Sequence, residues 1–584
     1  MLKQAAANEW GVPVESVETE PDTVIHRPSG RRMPYGQLVD KAQALPVPQN
    51  PKLKTPDQFR YIGKMVKRRD TPEKVTGKAI YGMDVQLPDM LVASIERCPV
   101  IGGKVKSFDA TATKQIKGVK DVVRVSNGVA VVADTFWTAL KGRRALKVEW
   151  DEGALAQVSS PMIRAEYERL AKQPGQVARN NGDAQATLAA AGGKVVEAVY
   201  EVPFLEHACM EPMNATAQVT AEQCTIWAPT QNPGGAQATG ARLTGLPPAK
   251  VLVHTTLLGG GFGRRGNQDF VVDAVEVAKT TKGVPVKVMW TREDDITHGF
   301  YRPATYNVFR ASLDAGGTPT AWLTRVVAPG LRIQRGLTKA GDIDEAAVEA
   351  LRNMPYDIPN LRIEFTNKDY GIPLGFWCSV GASQNGFIVE GFVDELAHAA
   401  KKDPVEFRVA LLGKSPRHKA VLELVAQKAN WGAPLPAGQA RGCAVVYSYE
   451  SYAATVAEVS VAPDGAVRVH RLVCGIDAGL AVNPDQVKAQ MEGGAVYALT
   501  AVYYGLITVD KGRVQQSNFH DYKMLRIDEM PRVEVHILDS GAKVGGLGEP
   551  GVPSVAPAVC NAIFAATGKR IRALPIDTSQ LKRT

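Results

Sequence analysis

Near the C-terminus the run Val544-Gly545-Gly546-Leu547-Gly548-Glu549-Pro550-Gly551-Val552-Pro553 sets one ionisable carboxylate among four glycines, with two prolines close behind. Glycines let a backbone pass close to a ligand and offer it bare N–H groups. Prolines stiffen the exit. A Glu held in such a loop, followed by the largely apolar run Val555 to Ala566, is a candidate desolvated general base. The plainer alternative is a tight turn that exposes a Glu. A second glycine cluster, Gly259-Gly260-Gly261-Phe262-Gly263-Arg264-Arg265, follows a β-like run from Val251 to Leu258 and precedes a helix starting near Asp269. Strand, glycine loop and helix is the arrangement of an anion site at a helix N-terminus. Arg264 and Arg265 would there clamp phosphates bidentately; otherwise they are solvated side chains on a turn. The spacing matches neither the dinucleotide-binding fingerprint nor the phosphate-binding loop.

Three further stretches mix reactive and packing residues. His207-Ala208-Cys209-Met210-Glu211-Pro212 brings His, Cys and Glu together, at a spacing that suits a buried turn better than a metal site. Trp227-Ala228-Pro229-Thr230-Gln231-Asn232-Pro233 holds an amide between two prolines, where it can hydrogen-bond an oxo or carbonyl group or simply close a turn. Gly375-Phe376-Trp377-Cys378-Ser379-Val380-Gly381 puts two aromatics beside a thiol. They would wall a flat substrate or pack in the core. Cys378 has no His and Asn constellation that would make it a nucleophile.

The elements that position these pieces are those of a globular protein. The 584 residues are 45% hydrophobic and 22% charged, with a formal net charge of +9 from interleaved acidic and basic residues. That supplies several cores. It gives no dense basic run with interleaved aromatics, so nucleic acid is not an expected partner. Seven scattered cysteines without a CxxC pair or Cys/His cluster disfavour a disulfide framework, a zinc site and an iron–sulfur cluster on this chain. No run of about 18 apolar residues marks a membrane span, and the opening residues lack a charged-then-apolar leader. Met1 to Trp10 reads as the body of a helix without an N-cap. A strand at Thr23 to His26, a helix near Tyr35 to Leu45 and a proline-rich linker, Pro46 to Pro51, follow. Strands are expected at Leu91 to Ile95, Val119 to Val125, Val129 to Ala133 and Ala145 to Trp150, with a helix at Thr135 to Arg143. Later helices are expected at Asp269 to Thr281, Gln384 to Ala400, His418 to Asn430, Pro484 to Thr500 and Val552 to Gly568. Val456 to Val473 reads as a hairpin turning at Pro463-Asp464-Gly465.

Taken together, the motifs resemble the molybdenum hydroxylase family (xanthine dehydrogenase and aldehyde oxidase) through its molybdopterin-binding large subunit, of the isoquinoline 1-oxidoreductase beta-subunit type, a type that also includes bacterial membrane-associated aldehyde dehydrogenases. The resemblance runs along nearly the whole chain. It includes Arg69-Asp70-Thr71-Pro72-Glu73-Lys74-Val75-Thr76-Gly77-Lys78-Ala79, His207 to Pro212, Thr230-Gln231, Gly259 to Arg265, Asp403-Pro404 with Arg408, Asn483-Pro484, Gln490 to Gly494, and Gly545 to Gly551. It implies an α+β fold. An N-terminal helical segment (1–50) belongs to a cofactor-binding lobe. A hammerhead domain with linker (51–193) and two elongated molybdopterin-binding domains (194–440 and 441–584) follow.

The resemblance also implies roles. The cofactor is a molybdenum–molybdopterin, in the cytosine dinucleotide form. Glu549 is the general base that takes a proton from a hydroxyl on molybdenum. The oxygen then attacks an electron-poor carbon of an aldehyde or N-heteroaromatic ring, and a hydride passes to a sulfido ligand. Gln231 contacts the oxo group. Gly260, Gly261, Phe262, Gly263 and Arg264, the Cys378–Ser379 turn, Gln490, and Gly546, Leu547 and Gly548 line the cofactor. Phe376 and Trp377 line the substrate pocket. No side chain ligates the metal. Electrons leave through 2Fe–2S clusters on an iron–sulfur small subunit, and a cytochrome c or membrane acceptor follows. Two departures stand out. Cys378 occupies a position where the family usually has an arginine, and the cofactor-binding segment with a Gly-Gln-Gly loop that relatives carry before the point where this chain begins is not found. A separate polypeptide supplying that segment, or a truncated chain, is the expectation. Export signals of the relatives point to the periplasm or the periplasmic face of the inner membrane, with export directed by a partner; the cytoplasm is the alternative. A non-catalytic scaffold of a redox complex is the competing function.

Overall fold

The computed structural model describes residues 1–191 and 195–582; the domain boundary expected at 193/194 lies outside them. The chain separates into two compact units, residues 1–62 and 63 onward.

In the first unit the helix Leu2–Trp10 ends on Gly11 at φ 64° and has no side-chain cap at its start. Its alanines, Ala5, Ala6 and Ala7, bury against Val17, Val24, Leu38 and Ala42. An antiparallel sheet of Glu18–Glu20, Thr23–His26 and Arg31–Pro34 completes it. The helix expected over 35–45 is a 3₁₀ turn, Tyr35–Leu38, running into a short α-helix, Val39–Gln43. Gly36 in its first turn lowers the propensity for a regular start.

The second unit is built on three larger sheets. The first has seven strands in the order Val251–Thr255, Cys224–Ala228, Asn214–Val219, Val286–Met289, Leu91–Glu96, Gly128–Ala133, Val119–Val125. Strands of the expected hammerhead segment and strands beyond residue 194 therefore share one sheet, joined where Leu91 pairs in parallel with Val286. Helix α1 (Asp269–Ala278) covers it with Phe270, Val271, Ala274, Val275 and Val277. The second sheet orders Val195–Val202, Thr305–Leu313, Pro319–Ala328, Asn360–Asn367 and Gln176–Asn181.

Helix α2 (Val380–Ala399) is buried from Gly381 to Ala397, and its buried acids Glu390, Asp394 and Glu395 are paired with Arg408, Arg570 and Arg572. It begins four residues before the expected Gln384. Arg408 from the Asp403-Pro404 motif is fully buried and binds Glu390 of α2 at 2.8 Å, so that motif is a packing device. The third sheet orders Gln439–Ser448, Ser451–Val461, Val467–Asp477 and Arg532–Ile537. It contains the hairpin expected around Pro463. Helix α3 (Pro484–Tyr503) is capped by the Asn483 side chain. Helix α4 (Val555–Thr567) lies so close to the third sheet that a Cβ on Gly442 would stand 2.2 Å from the Ala562 nitrogen. The strand Lys104–Asp109 escapes the sequence pattern. It pairs only with Lys147–Asp151 at the surface, and Val105 alone of its side chains is fully buried.

Candidate active site

The Gly259 loop is shaped by what presses on it. Gly260 and Gly263 have φ of 96° and 103°, and Phe262 is also left-handed at 53°. A Cβ on Gly263 would lie 1.5 Å from the Phe376 carbonyl oxygen, and one on Gly261 would lie 2.6 Å from Gln231 Oε1. Only glycine permits these approaches. The loop's arginines overturn the phosphate-clamp reading. Arg264 and Arg265 are 0% exposed. Arg264 binds Asp269 at 2.9 and 2.7 Å. Arg265 donates to the carbonyls of Gly260 and Glu211, both at 2.6 Å, and to Glu211 Oε2 at 3.2 Å. Arg264 therefore braces the loop from inside and offers no charge to a ligand. Glu211 also accepts from the Gly259, Met83 and Asn214 nitrogens, which makes the His207–Pro212 stretch a buried anchor.

Gln231 is exposed, and the Gly263 N–H donates to its Oε1 at 3.1 Å. That bond orients the amide, leaving Nε2 as a donor toward any oxygen placed before the loop.

The Phe376–Gly381 turn meets the loop through the Phe376 carbonyl. Ser379 and Val380 both have positive φ, 64° and 44°, a strained conformation for a β-branched residue. Trp377, expected to wall the substrate, is instead 3% exposed. It stacks on Tyr497 at 4.6 Å, and Tyr497 stacks on Phe262 at 4.1 Å. It supports the site from behind. Phe376 is half-buried beneath the Arg335 guanidinium. The Cys378 thiol is buried. Burial first, then the charge of Glu549, pushes it far above its ordinary range, which suits an inert thiol.

The Glu549 loop is fastened to both neighbours. Ser379 Oγ donates to the Glu549 carbonyl at 2.8 Å. The Gly546 N–H donates to the Tyr449 carbonyl at 2.7 Å, Ser451 Oγ to the Gly546 carbonyl at 2.5 Å, and Gln490 Nε2 to the Gly548 carbonyl at 3.4 Å. Glu549 itself is half-buried and Gly548 exposed. The carboxylate is thus less desolvated than the following apolar run suggested, because that run packs inward as α4 and leaves the loop at the surface.

Two groups join Glu549 that the sequence did not flag. The Tyr449 hydroxyl lies against its carboxylate; burial, and then that charge, raise the phenol's pKa. Glu349, just after the short helix Glu345–Val348, accepts from the Gly381 N–H at 3.1 Å. Burial pushes it up to about 7; the N–H groups of Ala382 and Gly381 pull the other way, and Glu549 adds a further rise. Among the described residues, no cation is one of the groups acting on Glu349 or Cys378.

The N–H groups of Gly260, Gly261 and Phe262, of Cys378, and of Leu547, Gly548 and Glu549 make no hydrogen bond among the described residues. With Gln231 Nε2 they form a donor-rich cradle from three segments, which fits a large anionic group rich in acceptors. Among the described residues no three His, Cys, Asp or Glu side chains gather to hold a metal ion.

Two models of the molybdopterin cofactor-binding domain match residues 170–411 and 393–531. Isoquinoline 1-oxidoreductase subunit beta of Brevundimonas diminuta is 32% identical over all of this chain and 81% of its own length. The chain belongs to the molybdenum hydroxylases, as a molybdopterin-binding large subunit. A membrane-bound aldehyde dehydrogenase (pyrroloquinoline-quinone) of Gluconacetobacter polyoxogenes is also 32% identical, over 95% of this chain and 77% of that protein. Quinoline 2-oxidoreductase from Pseudomonas putida 86 has the same fold, with a TM-score of 0.74 at 15% identity, over 90% of this chain and 98% of that one. In this molybdenum hydroxylase subunit the residues most easily overlooked are Glu349 and Tyr449. Glu349 reads in the sequence as one more polar residue beside a short helix. Tyr449 sits at a hairpin tip that has no Gly, Asn or Pro to announce it.

Proposed function

We propose that this subunit carries out the oxidation of an uncharged or cationic aldehyde or N-heteroaromatic substrate, with Glu549 as the proton acceptor. The observation behind the charge class is the set of groups around Glu549. Glu349, the Tyr449 phenol and the Cys378 thiol all feel the charge of Glu549, and among the described residues no cation acts on Glu349 or Cys378. An anionic substrate would meet repulsion of like charge there.

The molybdenum–pterin group, when bound, supplies the two-electron chemistry by which a C–H carbon gains oxygen derived from water. The backbone donors of Gly260 to Phe262, Cys378 and Leu547 to Glu549 would hold it, and Gln231 Nε2 would donate to one of its oxygens. Glu549 holds and returns the proton at its carboxylate. The Tyr449 hydroxyl orients that carboxylate, and Glu349 sets the charge beside it. The cofactor's cytosine dinucleotide form, an iron–sulfur small subunit with 2Fe–2S clusters, a further polypeptide completing the cofactor lobe, a cytochrome c or membrane acceptor, and a place at the periplasmic face of the inner membrane are parts of the same reading. They rest on the resemblance of the motifs.

The test is made on the protein purified with its natural partners. About one molybdenum per chain, with CMP released on hydrolysis, is expected. Glu549→Gln is expected to keep the metal and lose turnover. An N-heteroaromatic ring is expected to react with at least about tenfold higher kcat/KM than its carboxylated counterpart, a difference of about 1.4 kcal/mol. Absence of molybdenum in the complete complex would leave the scaffold function instead. Retained turnover in Glu549→Gln would remove the assigned base.

A further inference from the structure

Most fully buried guanidiniums in this chain meet a carboxylate: Arg97 with Asp273, Arg264 with Asp269, Arg265 with Glu211, Arg408 with Glu390. Arg302 does not. It is 3% exposed, and its Nε is without a partner. Besides burial, only the phenols of Tyr522 and Tyr497 act on its charge. Burial lowers its pKa only to about 10, so it stays cationic at neutral pH. The Trp377 ring lies 5.3 Å beneath the guanidinium. A buried, charged group without a counter-charge is unfavourable in any fold and calls for a partner.

The surroundings say what kind. Arg302 borders a small, largely enclosed cavity with room for a single water-sized guest. Trp377 and Gln384 border it too, and Trp377 Nε1 and Gln384 Oε1 are likewise buried without partners. An indole nitrogen only donates. The Gln384 amide, turned over, would place an N–H₂ donor where its oxygen now stands without a partner. The remaining lining is Pro303, Pro329, Leu331, alanines, glycines and Val380, with no carboxylate. Donors, one cation and no acid make the lining of an anion site. A water there would satisfy hydrogen bonds and leave the charge uncompensated.

We propose that this cavity is a halide site, in which chloride bound to the Arg302 guanidinium and the Trp377 N–H is the counter-ion of Arg302. The ion would also fix the stack above it. Trp377 rests on Tyr497 and Tyr497 on Phe262 of the glycine loop, so the halide underpins the back wall of the cofactor cradle without touching the reacting atoms.

The test uses the unaltered protein in its isolated assembly. Crystals grown in sodium bromide and measured at the bromine edge are expected to show anomalous density in the cavity beside Arg302. Melting temperature is expected to rise saturably with sodium chloride, and not with sodium gluconate at equal ionic strength. Arg302→Gln is expected to lose that chloride-specific rise. A cavity without bromide density, together with identical melting in chloride and gluconate, would overturn the proposal. Should Arg302→Gln fail to fold, the two measurements on the unaltered protein decide by themselves. None of them depends on turnover, so the halide site and the catalytic reading stand or fall separately.

Discussion

Glu349 makes a measurable claim on stability. Its carboxyl is pushed from 4.5 up to about 7, by burial first and by Glu549 in addition. The folded protein then holds a proton that the unfolded chain sheds as pH rises from 4.5 to about 7. Stability falls across that window, and the loss is complete above it. At roughly 1.4 kcal/mol per pH unit of displacement, the cost reaches about 3 kcal/mol at pH 8, and partial solvation of the carboxyl brings it nearer 2. Glu349→Gln keeps the side chain's size and an oxygen for the Gly381 N–H while removing the charge. The variant and the parent are expected to lie within about 1 kcal/mol of each other at pH 5, and the variant to be more stable by about 2–3 kcal/mol at pH 8. Urea midpoints followed by tryptophan fluorescence at pH 5, 6, 7 and 8 read this out. A difference between the two proteins that stays constant across the series would refute the reasoning. Glu549→Gln supplies the second arm: without that neighbouring charge Glu349 ionises more easily in the folded protein, so the decline should still begin near pH 4.5 but end at a lower pH and be smaller.

Gly263→Ala, whose Cβ would collide with the Phe376 carbonyl in a left-handed backbone, should reduce the molybdenum content of the purified complex to background while circular dichroism stays near that of the parent. Tyr449→Phe removes the hydroxyl lying against Glu549 and should lower kcat about 10- to 100-fold with molybdenum retained. Equal kcat would deny the orienting role. Asp269→Ala strands the buried Arg264 and should cost about 3–5 kcal/mol in a denaturation experiment, far more than a surface ion pair.

Glycine runs and long apolar helices were legible because their signals are local. The Glu549 and Gly259 loops stand where the sequence put them, and α1, α2, α3 and α4 follow the expected periodicity with shifts of a few residues at their ends. What sequence hid was the partner of each charge. Two arginines in a glycine loop look like a clamp until Asp269 and Glu211 are seen to claim them. Trp377 looks like a pocket wall until Tyr497 covers its face. Glu349 acquires its meaning from Gly381 and Glu549, which lie far along the chain. The seven-stranded sheet was equally hidden, since nothing near Leu91 reveals that it pairs with Val286.

The hairpin joining Gln439–Ser448 to Ser451–Val461 turns in two residues, Tyr449 and Glu450, both at positive φ (52° and 60°). Asn-Gly is the pair such a turn favours. Substituting it would relax the turn and would also delete the phenol beside Glu549. Nor can the facing loop yield, since a Cβ on Gly545 or Gly546 would strike the tip at 2.5 and 2.8 Å. Selection for heat resistance and selection for turnover therefore pull this one dipeptide in opposite directions. An engineer seeking a hardier enzyme would do better to leave this corner alone and look for gains elsewhere in the fold.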